Sequence, residues 1–329
     1  GWREQRVPLA LAVAVLIFAV HPVASYAVAY LIQRSILMAT FFVVWGLVAF
    51  SWGVRSGRPL GYALALVCYL LAMLSKEYAL AAPAVALAVY IWLARPSRPA
   101  LIRLGVVVGV LVGAIGGLLL TRYAHVVGEA FDPAARAFVV QLGKVAPEAA
   151  EQAYGLSVLN QAWLFSRYGL FWFVPDVWAM SIDLRPPFPT GFLSFPHVLG
   201  PVAYLATLGL GAWLLLTRRD RWGLVGLYLL VPALLFVTEF SSVWIQDPFV
   251  LYRSYLWAIP LPGIWALFLM RLRADNLLAL GGCLVVVLGI LAHERVNSMR
   301  DSYTVWNDAV QKIDMAAPDN AVGRWRVYM

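Results

Sequence analysis

Four basic side chains mark the ends of long apolar runs in this sequence: Arg34, Lys76, Arg167 and Arg253. A guanidinium group pairs with a phosphate through two parallel hydrogen bonds, and an ammonium group binds it as a point charge. Ionisable groups beside a membrane are costly, so each one is a candidate for function. If the four cations lie on one side of a membrane, they predict a site that binds a phosphate.

Five further polar residues accompany these cations: His21, Glu77, Tyr168, Asp183 and Tyr255. The carboxylates could orient the cations or accept hydrogen bonds from sugar hydroxyls. Fixed cations would also stabilise the charge that grows on a phosphate leaving group. We therefore expect these five residues to support the phosphate site.

Each of these residues also has a simpler interpretation. Arg and Lys at helix ends commonly extend their charged groups to the membrane surface without binding anything. Lys76 and Glu77 could neutralise each other in a tight turn, and His21 before Pro22 could simply end a helix. Only the expected meeting of the cations on one face favours the functional interpretation.

Other catalytic motifs are absent from the sequence. It contains no G-x-S-x-G, H-E-x-x-H, Walker A or dinucleotide-binding pattern. The four histidines have no metal-ligand spacing, so we predict no metal ligands and assign no catalytic residue.

The composition is that of a membrane protein. Of 329 residues, 62% are hydrophobic and only 13% are charged, against roughly a quarter charged in soluble domains. The net charge of +8 is concentrated in short connections, so it reports topology and does not indicate nucleic-acid binding.

Apolar runs long enough to cross the hydrocarbon predict an all-α protein with about nine transmembrane helices. We expect these spans near residues 7–22, 35–53, 60–75, 78–94, 102–121, 197–216, 222–239, 254–270 and 276–293.

The basic residues set the predicted orientation. Connections on the N-terminal side hold twelve of the 25 cations and three of the 17 acids, which leaves thirteen cations and fourteen acids on the other side. Short, strongly basic loops are typical of the cytoplasmic side. We therefore expect a multi-pass protein of the bacterial inner membrane, with a cytoplasmic N-terminus and a periplasmic C-terminus. All nine candidate site residues then face the periplasm.

Residues 1–293 form the predicted membrane domain, with one large external loop at 122–196. Within it, the aromatic segment 158–174 would place Arg167 near the bilayer centre if it crossed the membrane, so we predict an interfacial or re-entrant helix. The Pro-rich stretch 185–196 predicts coil. Residues 294–329 predict the start of a helical tail similar to a tetratricopeptide (TPR) unit, which could recruit a protein partner.

Five strings in order resemble the transmembrane-and-TPR O-mannosyltransferase family, whose bacterial members are often called TPR-containing membrane proteins. They are LIFAVHPVASYAVAYLIQRSILMATFF (16–42), LAMLSKEYALAAP (71–83), SRYGLFWFVPDVWAMSIDL (166–184), LYRSYLWAIP (251–260) and VWNDAVQKIDMAAPDN (305–320).

This resemblance implies a GT-C glycosyltransferase fold. It implies a polyprenyl-phosphate sugar as donor, bound at the outer leaflet, and transfer with inversion to an external protein or glycan acceptor. No cofactor is implied with certainty, and a divalent metal is left open. The matching polar residues are His21, Pro22 and Arg34, then Ser75, Lys76 and Glu77, then Arg167, Tyr168 and Pro175, and finally Arg253 and Tyr255.

Two departures from the family pattern matter. The family has a Glu shortly after its His-Pro pair, where this sequence has Ser25 and Tyr26. The family's catalytic Asp lies in a first external loop that we expect upstream of Gly1, so the chain reads as a fragment without its base.

These features favour a membrane glycosyltransferase. A lipid-linked glycan transporter is a second hypothesis, although the sequence shows no internal inverted repeat. A non-catalytic membrane scaffold, with a tail that recruits partners, is the third.

Overall fold

A computed structural model describes residues 2–122, 133–241 and 249–312. In this part of the chain the regular elements are α-helices and short 3-10 turns, with one isolated antiparallel bridge between Leu184 and Phe249. The predicted all-α class is confirmed.

The first six helices begin and end where the sequence supplies the usual signals. Pro59 and Pro83 lie in the first turns of α4 and α5, where a missing N–H costs no helical hydrogen bond. Gly57 ends α3 in the left-handed conformation, with φ of 67°. The helices are α1 (Trp2–Ala19), α2 (Pro22–Val28), α3 (Arg34–Ser56), α4 (Pro59–Ser75), α5 (Ala82–Ala94) and α6 (Arg98–Arg122).

The second half is more broken. Short 3-10 turns cover Val177–Ala179, Val237–Phe240 and Leu251–Arg253, in addition to Leu31–Gln33 and Glu77–Ala81 in the first half. The helices are α7 (Pro133–Val145), α8 (Pro147–Glu151), α9 (Ala153–Phe173), α10 (Leu199–Thr217), α11 (Arg221–Phe236), α12 (Ser254–Trp257), α13 (Leu261–Leu269), α14 (Ala274–Asn297) and α15 (Ser302–Gln311).

Among the described residues, five helical stretches are long and apolar enough to cross a membrane, and a sixth is added if α1 and α2, bent by 64°, count as one span. α4 is apolar but shorter, and the predicted span 254–270 is divided between α12 and α13. Large apolar side chains such as Met38, Val202 and Ile290 are exposed along these helices, as expected in lipid. The architecture is compatible with an α-helical membrane protein.

Small residues allow the helices to approach closely. A Cβ added at Gly61 of α4 would lie 2.5 Å from the Cα of Gly53 in α3, so these two backbones are in direct contact. A Cβ at Gly200 would clash with the backbone at Trp163, which fixes the start of α10 against α9. The first contact joins α3 to α4, and the second holds α9 against α10.

The turns that carry the predicted cytoplasmic arginines define one end of the bundle, which we call end A. Arg95 Nη2 donates to the carbonyl of Arg219 at 3.3 Å, so two of these turns meet. Trp92 lies against the position of Gly223 in the same region. The opposite end, end B, carries the turn at Ser75–Glu77 and the candidate site residues.

The predicted external loop contains α7, α8 and α9. Segment 158–174 is helical, as predicted, and its helix α9 begins earlier, at Ala153. Residues 185–196 form turns and coil, also as predicted. α14 continues past residue 294 to Asn297, α15 follows it, and residues 313–329 of the predicted TPR-like tail lie outside the described residues.

Candidate functional site

Five of the nine predicted site residues lie in one connected cluster at end B: Lys76, Glu77, Arg167, Tyr168 and Arg253. They come from the turn between α4 and α5, from α9, and from the 3-10 turn before α12. The ring of Tyr78 and the ring of Phe249 link them. We call this group the aromatic-cation cluster.

A buried ion pair lies at its centre. Arg253 Nη1 is 3.2 Å from Glu239 Oε2, and the two side chains are only 4% and 0% exposed. The Arg253 guanidinium carbon lies 5.8 Å from the centre of the Tyr78 ring. Arg253 is therefore held by a carboxylate and an aromatic ring inside the protein.

A second ion pair uses the same ring and lies closer to solvent. Lys76 Nζ is 3.2 Å from Glu77 Oε1, with side-chain exposures of 23% and 66%. Lys76 Nζ also lies 5.4 Å from the centre of the Tyr78 ring. The mutual neutralisation that the sequence allowed is thus present in the structure.

Arg167 differs from both. Its guanidinium carbon lies 5.6 Å from the centre of the Phe249 ring, and no carboxylate of the described residues pairs with it. Partial burial lowers the pKa of Arg167, yet a guanidinium stays charged at any physiological pH. Among the described residues, the Phe249 ring face is the contact that stabilises this half-buried cation.

Tyr168 connects Arg167 to the buried pair. Its hydroxyl accepts the Val250 N–H at 3.0 Å, and its ring lies 4.5 Å from that of Phe249. Burial raises the pKa of Tyr168, so its hydroxyl remains neutral. Tyr168 thereby fixes the backbone just before the turn that carries Arg253.

His21 and Tyr255 lie one helical turn further along α9, around Trp172. The His21 ring is stacked 4.7 Å from the Trp172 ring, and its Nδ1 accepts the Val23 N–H at 3.3 Å. Phe18 lies between Trp172 and Tyr255. α1 ends at Ala19 and His21 caps the start of α2, so His21 lies at the break between these two helices.

Asp183 pairs with Arg185 at 2.7 Å, and both side chains are nearly buried. The bridge between Leu184 and Phe249 places this pair beside the backbone of Phe249. Asp183 therefore lies next to the aromatic-cation cluster, although it pairs with a cation that the sequence analysis did not select.

Arg34 is placed apart from the other cations. Its side chain is exposed, and its Nε donates to the Leu31 carbonyl of its own turn at 3.1 Å. None of the described residues of the aromatic-cation cluster contacts it. The structure thus brings together three of the four predicted cations.

Sequence reasoning missed Glu239, the partner of Arg253. Glu239 follows directly on the apolar run of α11 and lies at the end of a predicted span. The rule that selected the cations, an ionisable residue where an apolar run ends, applies equally to Glu239. The prediction included two acids, Glu77 and Asp183, and omitted Glu239.

A second polar cluster at end B was also missed. Arg295 Nη1 donates to the Met180 carbonyl at 2.8 Å and pairs with Asp308 at 3.1 Å. Lys312 Nζ pairs with the same carboxylate at 2.8 Å and donates to the Met180 carbonyl at 2.9 Å. These contacts, which we call the Arg295 hub, attach α15 to the end of α14 and to the segment after α9.

Two of the larger apolar cavities in the described part of the chain lie beside α3. One of about 660 Å³ is lined by Phe18, Phe41, Trp45 and Tyr255, among others. The other, of about 520 Å³, includes Trp52. None of the four predicted cations lines these two cavities.

The described residues contain no group of three or more His, Cys, Asp or Glu side chains that could hold a metal ion. Comparison with known proteins adds no further constraint, because no protein-family profile, curated protein or solved structure matches this chain.

Proposed function

We propose that this chain is a membrane glycosyltransferase that moves a sugar from a polyprenyl-phosphate donor to an external protein or glycan acceptor. The observation that supports this most directly is Arg167, a half-buried guanidinium without a carboxylate partner among the described residues. Uncompensated cations in partly desolvated surroundings suit an anionic ligand.

Lys76 would supply the second contact to the phosphate. Its carboxylate partner is 66% exposed, and exposed ion pairs are worth only about 0–1 kcal/mol. The donor phosphate, a diester with the same single charge as the Glu77 carboxylate, can therefore take the place of Glu77 at Lys76. The two cations would then stabilise the negative charge that develops on the departing lipid phosphate.

Arg253 would act differently from its predicted role as a direct phosphate contact. Glu239 holds it, and breaking a buried pair costs about 3–5 kcal/mol. We infer that Arg253 and Glu239 stay paired and fix Tyr78, the ring beside Lys76. Arg253 is then a positioning residue.

The remaining features belong to the same proposal. End B would face the periplasm and end A the cytoplasm of a bacterial inner membrane, with about nine spans in a GT-C arrangement. The apolar cavity lined by Phe18 and Tyr255 suits a polyprenyl chain. The C-terminal segment would form a TPR-like partner site. We assign no described residue as the base that activates the acceptor.

The test is transfer of label from polyprenyl-phosphate hexoses in membrane vesicles that contain the protein. We expect Arg167→Met to lower transfer about ten- to a hundredfold, the equivalent of one charge-assisted hydrogen bond of about 1.5–3 kcal/mol. The matched control is Arg300→Met, which removes a cation that is 81% exposed at the same end. Equal transfer by the two variants, or no transfer by the wild type, would contradict the proposal.

A further inference from the structure

Asn160 is a buried amide without a hydrogen-bond partner in the described part of the chain. Its side chain is 1% exposed, and neither Nδ2 nor Oδ1 is bonded. Buried polar side chains are nearly always hydrogen-bonded, because an unpaired one loses its interactions with water and gains nothing. A bound hydroxyl group would account for this amide, and so would a single trapped water.

The position of Asn160 relates it to the phosphate site. Asn160 and Arg167 lie seven residues apart in α9, which is two helical turns, so both are on the same side of this helix. The two backbone positions are separated by about 10.5 Å along the axis. Phe249 lies beneath Arg167 on this side.

We propose that Asn160 binds a hydroxyl group of the donor's sugar ring while Arg167 binds the donor's phosphate. This inference rests on the proposed function and adds the sugar contact to it. A side-chain amide both donates and accepts hydrogen bonds, as a sugar hydroxyl does. The side chains of Asn160 and Arg167 bridge part of the distance between their backbone positions. The remaining distance suits one sugar ring attached to a phosphate.

The burial of Asn160 adds a requirement. Because its amide is covered, the sugar reaches it only as the surrounding side chains move apart on binding. A site of this kind selects strongly, since a ligand without the matching hydroxyl leaves the amide unpaired. Asn160 is therefore a specificity-determining residue, and Arg167 provides affinity for any lipid phosphate.

Binding measurements on the purified protein separate these two roles. The probes are a bare lipid, polyprenyl methyl phosphate, which is a diester with the same charge as the donor, and polyprenyl-phosphate hexoses that carry mannose, glucose or galactose. The variants are Asn160→Leu and Arg167→Met, with Asn297→Leu as a control for the same exchange at an exposed position. The melting temperature of each variant reports structural damage.

We expect the wild type to bind one hexosylated lipid about three- to tenfold more tightly than the bare lipid, the value of roughly one net hydrogen bond. Asn160→Leu should abolish this preference and leave binding of the bare lipid unchanged. Its melting temperature should stay level or rise, because replacing an unpaired buried amide with an apolar group is nearly neutral. Arg167→Met should weaken binding of both lipids.

The other outcomes have distinct meanings. A preference for the sugar that survives in Asn160→Leu overturns the inference, and so does a fall in the melting temperature of this variant. Equal binding of both lipids by the wild type overturns the sugar contact alone and leaves the phosphate site standing. A wild type that binds neither lipid rejects the proposed function and this inference together.

Discussion

The two ion pairs beside the Tyr78 ring have the same separation and very different surroundings. Lys76–Glu77 and Arg253–Glu239 are both 3.2 Å apart, yet Glu77 is 66% exposed and Glu239 is fully buried. An exposed pair exchanges its partner at little cost, whereas a buried pair cannot lose one member without leaving an unpaired charge in the protein. Distance alone therefore does not separate a binding cation from a structural one.

The Arg295 hub is an intermediate case. Arg295 is 2% exposed, like Arg253, but its partner Asp308 is 16% exposed and a second carboxylate, Glu294, also contacts it. When Arg295 loses Asp308, it therefore keeps the Glu294 carboxylate as a partner. The three pairs become more buried in the order Lys76–Glu77, Arg295–Asp308 and Arg253–Glu239. The free-energy cost of disrupting each pair should increase in the same order.

The largest effect is expected at the buried pair. Arg253→Met leaves the Glu239 carboxylate buried without its cation, so we expect a loss of about 3–5 kcal/mol in the free energy of unfolding. Thermal unfolding in detergent measures this loss. The double variant Arg253→Met with Glu239→Leu should recover much of it, because both charges are gone. A double variant as unstable as the single one would contradict this distinction between exposed and buried pairs.

An intermediate effect is expected at the Arg295 hub. Asp308→Asn removes the carboxylate shared by Arg295 and Lys312 and leaves Glu294 in place, so we expect a cost of roughly 1–3 kcal/mol. The cost should be local to α15, and hydrogen exchange of amides in residues 302–312 would rise. Asn307→Ala serves as a control at an exposed position of the same helix. Unchanged exchange in Asp308→Asn would mean that the hub does not hold α15.

Much of the fold around these ion pairs could be predicted from the sequence. The apolar runs located the helices, and helix α9 and the coil at 185–196 were found where composition indicated them. Lys76 and Arg253, which the sequence assigned to one membrane face, both lie beside the Tyr78 ring. The predicted span 254–270 differs because α12 ends at Trp257 and α13 begins only after Pro260.

Partners could not be predicted in the same way. Arg253 and Glu239 are fourteen residues apart, and Arg295 meets the Met180 carbonyl from a distant segment, so only the packed fold brings each pair together. Arg34 is the opposite case. Its sequence context resembles that of the other predicted cations, yet its side chain turns back to the Leu31 carbonyl. Burial of Asn160, equally, depends on which face of α9 packs inward.

The smallest effect on stability is expected at the exposed pair. Glu77→Gln should change the free energy of unfolding by less than about 1 kcal/mol, and the change should shrink as salt screens the pair. The same variant should bind lipid phosphate at least as tightly as the wild type, because Lys76 no longer has a competing carboxylate. Weaker binding by Glu77→Gln would show that Glu77 holds Lys76 in place for the ligand.

The most direct test of the account is the position at which a lipid phosphate binds. A photoreactive group placed beside the phosphate of a polyprenyl phosphate, activated in vesicles that contain the protein, marks the nearest residues for mass spectrometry. The account predicts labelled peptides from end B, at Lys76 and within α9 near Arg167, and weaker labelling in Arg167→Met. Labelling confined to the arginine turns of end A, or unchanged labelling in that variant, would contradict it.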